Sequence, residues 1–159
     1  MSRKCLLTTN SIDVEHEQAD LLTSAPGAGA VASFAGLVRP RSSDEANEVD
    51  AIYLDHHPTL TLRSMQDVAD SALSRFAVGT LHIVHRCGCV AAGEPVVFVG
   101  AAAAHRRAAF DAVDYVMDCL KTDAVFWKRE DRADGSEWIE PTDADRAAHR
   151  RWKDENGGD

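Results

Sequence analysis

The sequence contains no apolar run approaching the ~20 residues that a membrane-spanning helix requires. Its first ten residues, MSRKCLLTTN, also lack the apolar core of a signal peptide, so we expect a cytoplasmic protein with no membrane partner. Basic residues are scarce, because 17 Lys and Arg stand against 26 Asp and Glu, for a net charge of −9. This balance argues against broad nucleic-acid binding, although it leaves room for a local basic pocket.

Cysteine is also sparse, and the four cysteines do not have the paired spacing of a secreted disulfide framework. Cys87 and Cys89 follow His85 at alternate positions, so a strand would place all three on one face. A structural zinc site needs a second pair of ligands, and the sequence offers no such pair. We therefore predict buried or half-buried thiols and no metal.

The pattern of apolar positions predicts one mixed α+β domain over 1–153, followed by a disordered tail over 154–159. The predicted strands are 3–9, 30–39, 49–56, 79–86, 95–104, 124–127 and 137–140, and the predicted helices are 13–24, 60–76, 105–121 and 141–152.

Several local features sharpen that assignment. Ser11 is the predicted cap of the first helix. Gly36, inside an apolar run, indicates a bulge or a close approach of backbone. Residues 41–48 are polar and predict a mobile surface loop, and 87–95 predict a turn. The continuous apolarity of 95–104 predicts a central strand that is buried on both faces.

The stretch HRRAAFDAVDYVMDCLKTDAVFWKRE, residues 105–130, places basic residues at both ends of an apolar helix. Such cations in an acidic chain indicate an anion site. Arg106 and Lys121 are fifteen residues apart, which corresponds to about 22 Å along a straight helix. One small ligand cannot reach both ends. If both ends serve one pocket, the second end must come from another subunit, which predicts a symmetric dimer.

The residue types in this stretch favour lysine chemistry on an anionic substrate. Lysines near Phe126, Trp127 and other cations can serve as bases or nucleophiles, and arginine forks suit phosphate or carboxylate. The GxSxG pattern of serine hydrolases is absent. The residues alone therefore indicate an anion-handling enzyme and do not name its substrate.

From about residue 29 to 153 the sequence resembles the large, catalytic subunit of molybdopterin synthase. The motifs that carry this resemblance are GAVASFAGLVR, YLDHHP, IVHRCG, GEPVVFVGAAAAHRRAAFDA, LKTDAVFWKRE and EWIE.

The resemblance implies an α/β-hammerhead fold, with a mixed, mostly antiparallel sheet and flanking helices. It also implies a homodimer that forms a heterotetramer with two small ubiquitin-like subunits. The C-terminal Gly-Gly of each small subunit would carry a thiocarboxylate. Its sulfur would be transferred twice to cyclic pyranopterin monophosphate, forming the dithiolene of molybdopterin without a further cofactor.

Carried onto this sequence, the family's working lysines are Lys121 and Lys128. The resemblance implies that one subunit contributes His105 and Arg106 to a composite pocket. Arg39, Lys121 and Lys128 would come from the other subunit. The full implied substrate-binding set is Leu37, Val38, Arg39, His105, Arg106, Lys121, Lys128, Arg129 and Glu130.

Two other readings stay open at this point. A non-catalytic dimeric module that binds a phosphate-bearing ligand would keep the arginines without requiring both lysines. A stand-alone enzyme that mobilises sulfur through Cys87 or Cys89 would be active without a small subunit.

Overall fold

A computed structural model describes residues 1–40, 49–124 and 126–154. Helices and strands interleave along the described chain, which confirms the predicted α+β class. The strands are β1 (Ser2–Thr8), β2 (Ala30–Leu37), β3 (Val49–His56), β4 (Val78–Arg86), β5 (Gly88–Ala91), β6 (Pro95–Ala103), β7 (Phe126–Arg132) and β8 (Gly135–Ile139). The helices are α1 (Val14–Ser24), α2 (Leu60–Arg75), α3 (Arg106–Thr122) and α4 (Asp143–Asp154).

The first sheet has the strand order β1-β4-β6-β2 and is covered on both faces. Strand β1 runs parallel to β4, and the other neighbours are antiparallel. Leu81 and Ile83 of β4 point towards the large core formed with α2 and α3. Val84 and Phe98 point to the other face, where Leu21 of α1 packs on them. The predicted central position of β6 is confirmed, and cover on both faces explains its continuous apolarity.

The second sheet has the order β5-β3-β7-β8 and is antiparallel throughout. Its buried cluster is smaller and comprises Val38, Val49, Ile52, Leu54 and Val90. The prediction of a turn over 87–95 is wrong in part, because β5 lies within that range and pairs with β3. Gly88 has a φ of 75°, which lets the chain leave β4 and enter this short strand.

Two other local predictions have different outcomes. The interpretation of Gly36 is confirmed. The β2–β6 register shifts between Gly36 and Leu37, and a Cβ at Gly36 would lie 2.8 Å from a methyl carbon of Val97. The prediction that Ser11 caps the first helix is wrong, because the Asp13 side chain accepts the hydrogen bond from the backbone N–H of His16.

The predicted loop over 41–48 and residues 155–159 of the predicted tail lie outside the described residues, whereas Asp154, the first residue of that tail, is the last residue of α4. Within the described part of the chain, none of the helices combines the length and apolarity that crossing a bilayer requires.

Candidate active site

The N-terminus of α3 presents positive charge to an open cleft. His105, the N-cap residue, is extended and makes no side-chain capping hydrogen bond. Arg106 and Arg107 occupy the first turn, where there is no acidic residue. These three exposed residues line a cleft together with Phe110. The unpaired N–H groups of a first helical turn favour an anion, and the two guanidinium groups reinforce that preference.

Lys121 lies in the last turn of α3, at the opposite end from Arg106. Its ammonium lies 3.0 Å from the carboxylate of Asp145 in α4, and its side chain is 57% exposed. The predicted helix is therefore continuous from one basic end to the other. At about 1.5 Å per residue the two ends stay roughly 22 Å apart, so one protomer does not bring Arg106 and Lys121 to a single small ligand.

A second cleft follows the exposed face of α3 beside β2. Arg107, Phe110 and Lys121 line it from the helix, and Phe34 lines it from the strand. Strand β2 is at the edge of the first sheet. Phe34 is 43% exposed and Phe110 is 60% exposed. Large apolar side chains that lie exposed beside an open strand edge are typical of an interaction face.

Lys128 and Glu130 lie on one face of β7. The register pairs Lys128 with Leu54 and Glu130 with Ile52, so both share the face that buries the small core. The Lys128 ammonium lies 3.3 Å from the carboxylate of Glu130, which also accepts a 2.8 Å bond from Arg132. The Glu130 carboxylate is largely buried and pairs with both cations, and Glu137 of β8 lies opposite it on the same face of the sheet.

Arg129 lies on the opposite face of β7. Its guanidinium stacks over the rings of Tyr53 and Trp138, at 4.9 and 5.7 Å from their centroids. It also forms a 2.8 Å ion pair with Asp131, which lowers the pKa of that carboxyl. The structure therefore separates Arg129 from Lys128, because neighbouring residues of a strand point to opposite faces.

The segment Leu37–Val38–Arg39 leaves β2 at the junction of the two sheets. Val38 is 4% exposed and packs in the small core with Leu54. Its amide donates to the carbonyl of Glu94, whereas Leu37 and Arg39 are exposed. Val38 therefore holds this segment against the face of the second sheet that carries Lys128, and Arg39 is the next residue in the chain.

The predicted site residues form three groups in one protomer. Lys128 and Glu130 lie together beside the segment that carries Arg39. His105 and Arg106 form the second group, and Lys121 with Asp145 forms the third. Sequence reasoning missed Asp145. The pattern Thr142-x-x-Asp145 resembles a capping box and predicts a helix start, but it does not predict contact with Lys121.

The cysteine pair does not form a cluster. Cys87 is buried, and burial raises the pKa of its thiol, whereas Cys89 is exposed on β5. The positive φ of Gly88 interrupts the alternation that would have placed the two on one face.

Among the described residues, two groups have ligand atoms near enough to surround a metal ion. They are Cys119, Asp123 and His149, and Glu17, Asp20 and His82. In the second group the Lys4 ammonium lies 2.7 Å from Glu17 and 2.9 Å from Asp20, so it already supplies a cation. In the first, the His149 ring nitrogen lies 2.9 Å from the Asp123 carboxylate, and burial raises the pKa of the Cys119 thiol to about 11.

Comparison with known proteins gives concordant results. The family model described as MoaE protein matches residues 7–123. The molybdopterin synthase catalytic subunit of Pseudomonas aeruginosa is 46% identical over 128 residues, covering 80% of this chain and 84% of that protein. The solved molybdopterin biosynthesis MoaE protein from Burkholderia ambifaria MC40-6 has a TM-score of 0.80 at 35% identity, covering 96% of this chain and 99% of that structure.

A more distant structure shares the fold. It is the complex of subunits 1 and 2 of molybdopterin-converting factor from Helicobacter pylori 26695. The matched chain has a TM-score of 0.65 at 19% identity, covering 89% of this chain and 90% of that one.

Proposed function

The chain belongs to the MoaE family, whose curated relatives include molybdopterin synthase catalytic subunits, and from that premise we propose that it is the sulfur-transferring subunit of a molybdopterin synthase. The proposed acceptor is cyclic pyranopterin monophosphate. The proposed donor is the thiocarboxylated Gly-Gly terminus of a small ubiquitin-like subunit. Two transfers produce the dithiolene of molybdopterin. The relative solved as a complex of two subunits supports a partner of this kind.

The observation that carries the proposal is the arrangement of basic residues around α3 and β7. The chain is acidic overall, yet His105, Arg106, Lys121 and Lys128 all lie at the ends of α3 or on the strand that follows it. A phosphate-bearing substrate needs such a local concentration of positive charge. The exposed N-terminus of α3 supplies backbone N–H donors in addition to the side chains.

A symmetric dimer would bring these basic residues together in one compact pocket. His105 and Arg106 of one subunit would meet Arg39, Lys121 and Lys128 of the other. Support comes from the length of α3, and from Phe34 and Phe110 exposed beside the open edge of β2. A two-fold interface on that face would cover both rings and produce two identical sites.

The lysines suit the chemistry that sulfur transfer requires. The thiocarboxylate sulfur forms a C–S bond to the substrate as a substrate C–O bond breaks, and the departing oxygen takes up a proton. The bond between the sulfur and the carrier's acyl carbon is then broken by attack of water or an amine on that carbon, which leaves the sulfur on the substrate. Lys128 or Lys121 serves as the base that takes the proton, or as a transient acyl acceptor. The guanidinium groups and His105 hold the phosphate during this exchange.

Conversion of cyclic pyranopterin monophosphate, measured with the thiocarboxylated small subunit supplied and omitted, tests the function. We expect product only with the partner. Lys121→Ala and Lys128→Ala should each reduce the rate by at least ~100-fold. Lys4→Ala is the matched control, because Lys4 is bound to Glu17 and Asp20 on the α1 side of the first sheet. Full activity in both site variants would rule out the lysine mechanism.

Mixed dimers test the composite pocket. Arg106→Ala and Lys128→Ala remove residues assigned to different subunits of each pocket, so a mixed dimer has one pocket free of both changes. Random mixing should restore about a quarter of wild-type activity. If both residues belonged to one subunit's pocket, every pocket would carry a change and mixing would restore nothing.

The same assay separates the two other readings. Tight substrate binding without turnover, even with a competent partner, would favour a binding module. Turnover without the partner would favour a stand-alone cysteine enzyme. Cys87 is buried, and Cys89 lies on the Arg129 face of the second sheet, opposite Lys128, so both positions argue against that enzyme.

A further inference from the structure

We propose that Asp145, in the first turn of α4, is a positioning residue for Lys121, which makes the C-terminal helix a working part of the active site. The inference rests on the proposed role of Lys121 in sulfur transfer. It adds a residue outside the motif LKTDAVFWKRE and outside residues 7–123, which the family model matches.

The two carboxylate oxygens of Asp145 have separate partners. Oδ2 accepts a 3.0 Å bond from the backbone N–H of Thr142 and a 2.8 Å bond from its hydroxyl. The Thr142 hydroxyl oxygen in turn accepts from the Asp145 backbone N–H at 3.1 Å. This reciprocal pair is a capping box, and it fixes the carboxylate on the start of α4. Oδ1 then accepts the 3.0 Å bond from the Lys121 ammonium.

The carboxylate is a stable counter-charge at neutral pH. Its side chain is 21% exposed. Partial burial by itself would raise the pKa of Asp145, but the hydrogen bonds from Thr142 and Lys121 outweigh that effect and hold the pKa below its ordinary value. Asp145 therefore remains ionised and oriented while Lys121, at the end of a flexible stem, would otherwise sample many rotamers.

The far end of α4 is fastened to the same helix that carries Lys121. Trp152 is 7% exposed, and its indole N–H donates to Asp118 of α3 at 2.7 Å. Arg151 forms a second 2.7 Å contact with Asp118, and His149 lies 2.9 Å from Asp123. Helix α4 is thus registered against α3, so the position of Asp145 relative to Lys121 is set by packing as well as by the capping box.

The contact leaves Lys121 able to bind a second group. An ammonium has three N–H donors, and one is directed to Asp145. The side chain is still 57% exposed, so the remaining donors can reach a substrate or a partner's terminus. Asp145 therefore restricts where the ammonium lies without enclosing it.

Asp145→Asn tests this role, because an amide oxygen can still accept from Thr142 while the charge that holds Lys121 is lost. We expect kcat to fall by about 10-fold to 100-fold, with KM for cyclic pyranopterin monophosphate unchanged. Asp145→Glu, which restores the charge, should recover most of kcat. Asp143→Asn is the matched control, since Asp143 lies in the same helical turn but bonds Arg146 at the surface. It should have wild-type kinetics.

Thermal unfolding of each variant distinguishes a loss of positioning from a loss of folding. A wild-type kcat in Asp145→Asn, with Lys121→Ala inactive, would overturn this inference alone. Wild-type activity in both variants would overturn the proposed role of Lys121 as well. An equal loss in Asp143→Asn, or no recovery in Asp145→Glu, would show that Asp145 does not act through a charge at this position.

Discussion

The two sheets differ in how their faces are covered. The first sheet has α1 on one face and α2 with α3 on the other, so its strands are apolar on both sides. The second sheet buries a five-residue cluster on one side and carries a run of charges along β7. Stability is therefore concentrated in the first sheet. The second sheet and the ends of α3 hold the charged groups assigned to the site.

The two sheets meet at a seam formed by His85, Arg86, Glu94 and Phe126, which contains both a ring-stacking contact and an ion pair. His85, near the end of β4, stacks on Phe126 at the start of β7 with ring centroids 4.2 Å apart. Arg86 follows, is 6% exposed, and bonds Glu94 and the carbonyl oxygen of Cys89 at 2.9 Å each. We therefore expect a substitution at this seam to affect the second sheet as well as the first.

The same substitution in each sheet gives the sharpest contrast. Ile83 is fully buried in the large core, and Ile52 is 6% exposed in the small one. We expect Ile83→Ala to lower the free energy of unfolding by about 4 kcal/mol and Ile52→Ala by about 2 kcal/mol, since the cost grows with the cavity that remains. Urea denaturation of the two variants measures both. Equal losses would mean that the two cores contribute alike.

Removing the Arg86 contacts at the seam should lower the free energy of unfolding slightly less than Ile83→Ala does. Arg86→Met keeps the apolar stem but removes the bonds to Glu94, Cys89 and Thr9. We expect the free energy of unfolding to fall by about 3 kcal/mol, because the hydrogen bonds of a buried guanidinium, one of them to a carboxylate, are lost. Glu94→Gln is the companion variant, and it should lower the free energy of unfolding by less, because the Glu94 side chain is 42% exposed. A loss below that of Glu94→Gln would place Arg86 outside the stabilising contacts of the seam.

The seam should also make stability depend on pH. Burial lowers the pKa of His85 to about 4. The unfolded chain takes up this proton near pH 6.5, so the free energy of unfolding falls as the pH drops from 6.5 towards 4, by up to about 1.4 kcal/mol per pH unit.

The control is His85→Phe, which keeps a ring against Phe126 and cannot titrate. Urea denaturation between pH 4.5 and pH 6.5 should give a shallower pH slope for this variant. Equal slopes in the variant and the parent would contradict the assignment to His85.

Arg129→Ala should have the smallest effect on the free energy of unfolding. Its cation–π contacts with Tyr53 and Trp138 are on the outer face of β7. Contacts of this kind contribute about 0.5–1 kcal/mol at exposed sites. We expect Arg129→Ala to lose no more than that and to keep its kcat, because the side chain points away from Lys128. A large fall in kcat would instead support the substrate-binding role that the family resemblance implies for Arg129.

Local patterns were sufficient to predict most of the elements. Period-two and helical apolar spacing placed the four helices and most strands close to their observed bounds. Strand β5 escaped prediction because its four residues begin with a positive-φ glycine and carry no clear alternation. Asp13 and Ser11 are both good capping residues, and sequence alone did not decide between them.

The site was only partly predictable for a similar reason. The cations of 105–130 and the length of α3 can be read from spacing, because helix geometry is local. The face on which Arg129 lies depends on the pairing of β7 with β3. The contact between Lys121 and Asp145 spans 24 residues and depends on how α4 packs.

The sequence by itself determined the α+β class, the buried central strand and the presence of a basic helix with cations at both ends. These follow from short-range periodicity and from residue chemistry. Tertiary structure alone decided the division into two sheets, the separation of Arg129 from Lys128 and the placement of Asp145 on Lys121. Each of these depends on pairing or packing between segments distant in the chain, and side-chain patterns within one segment carry no information about that register.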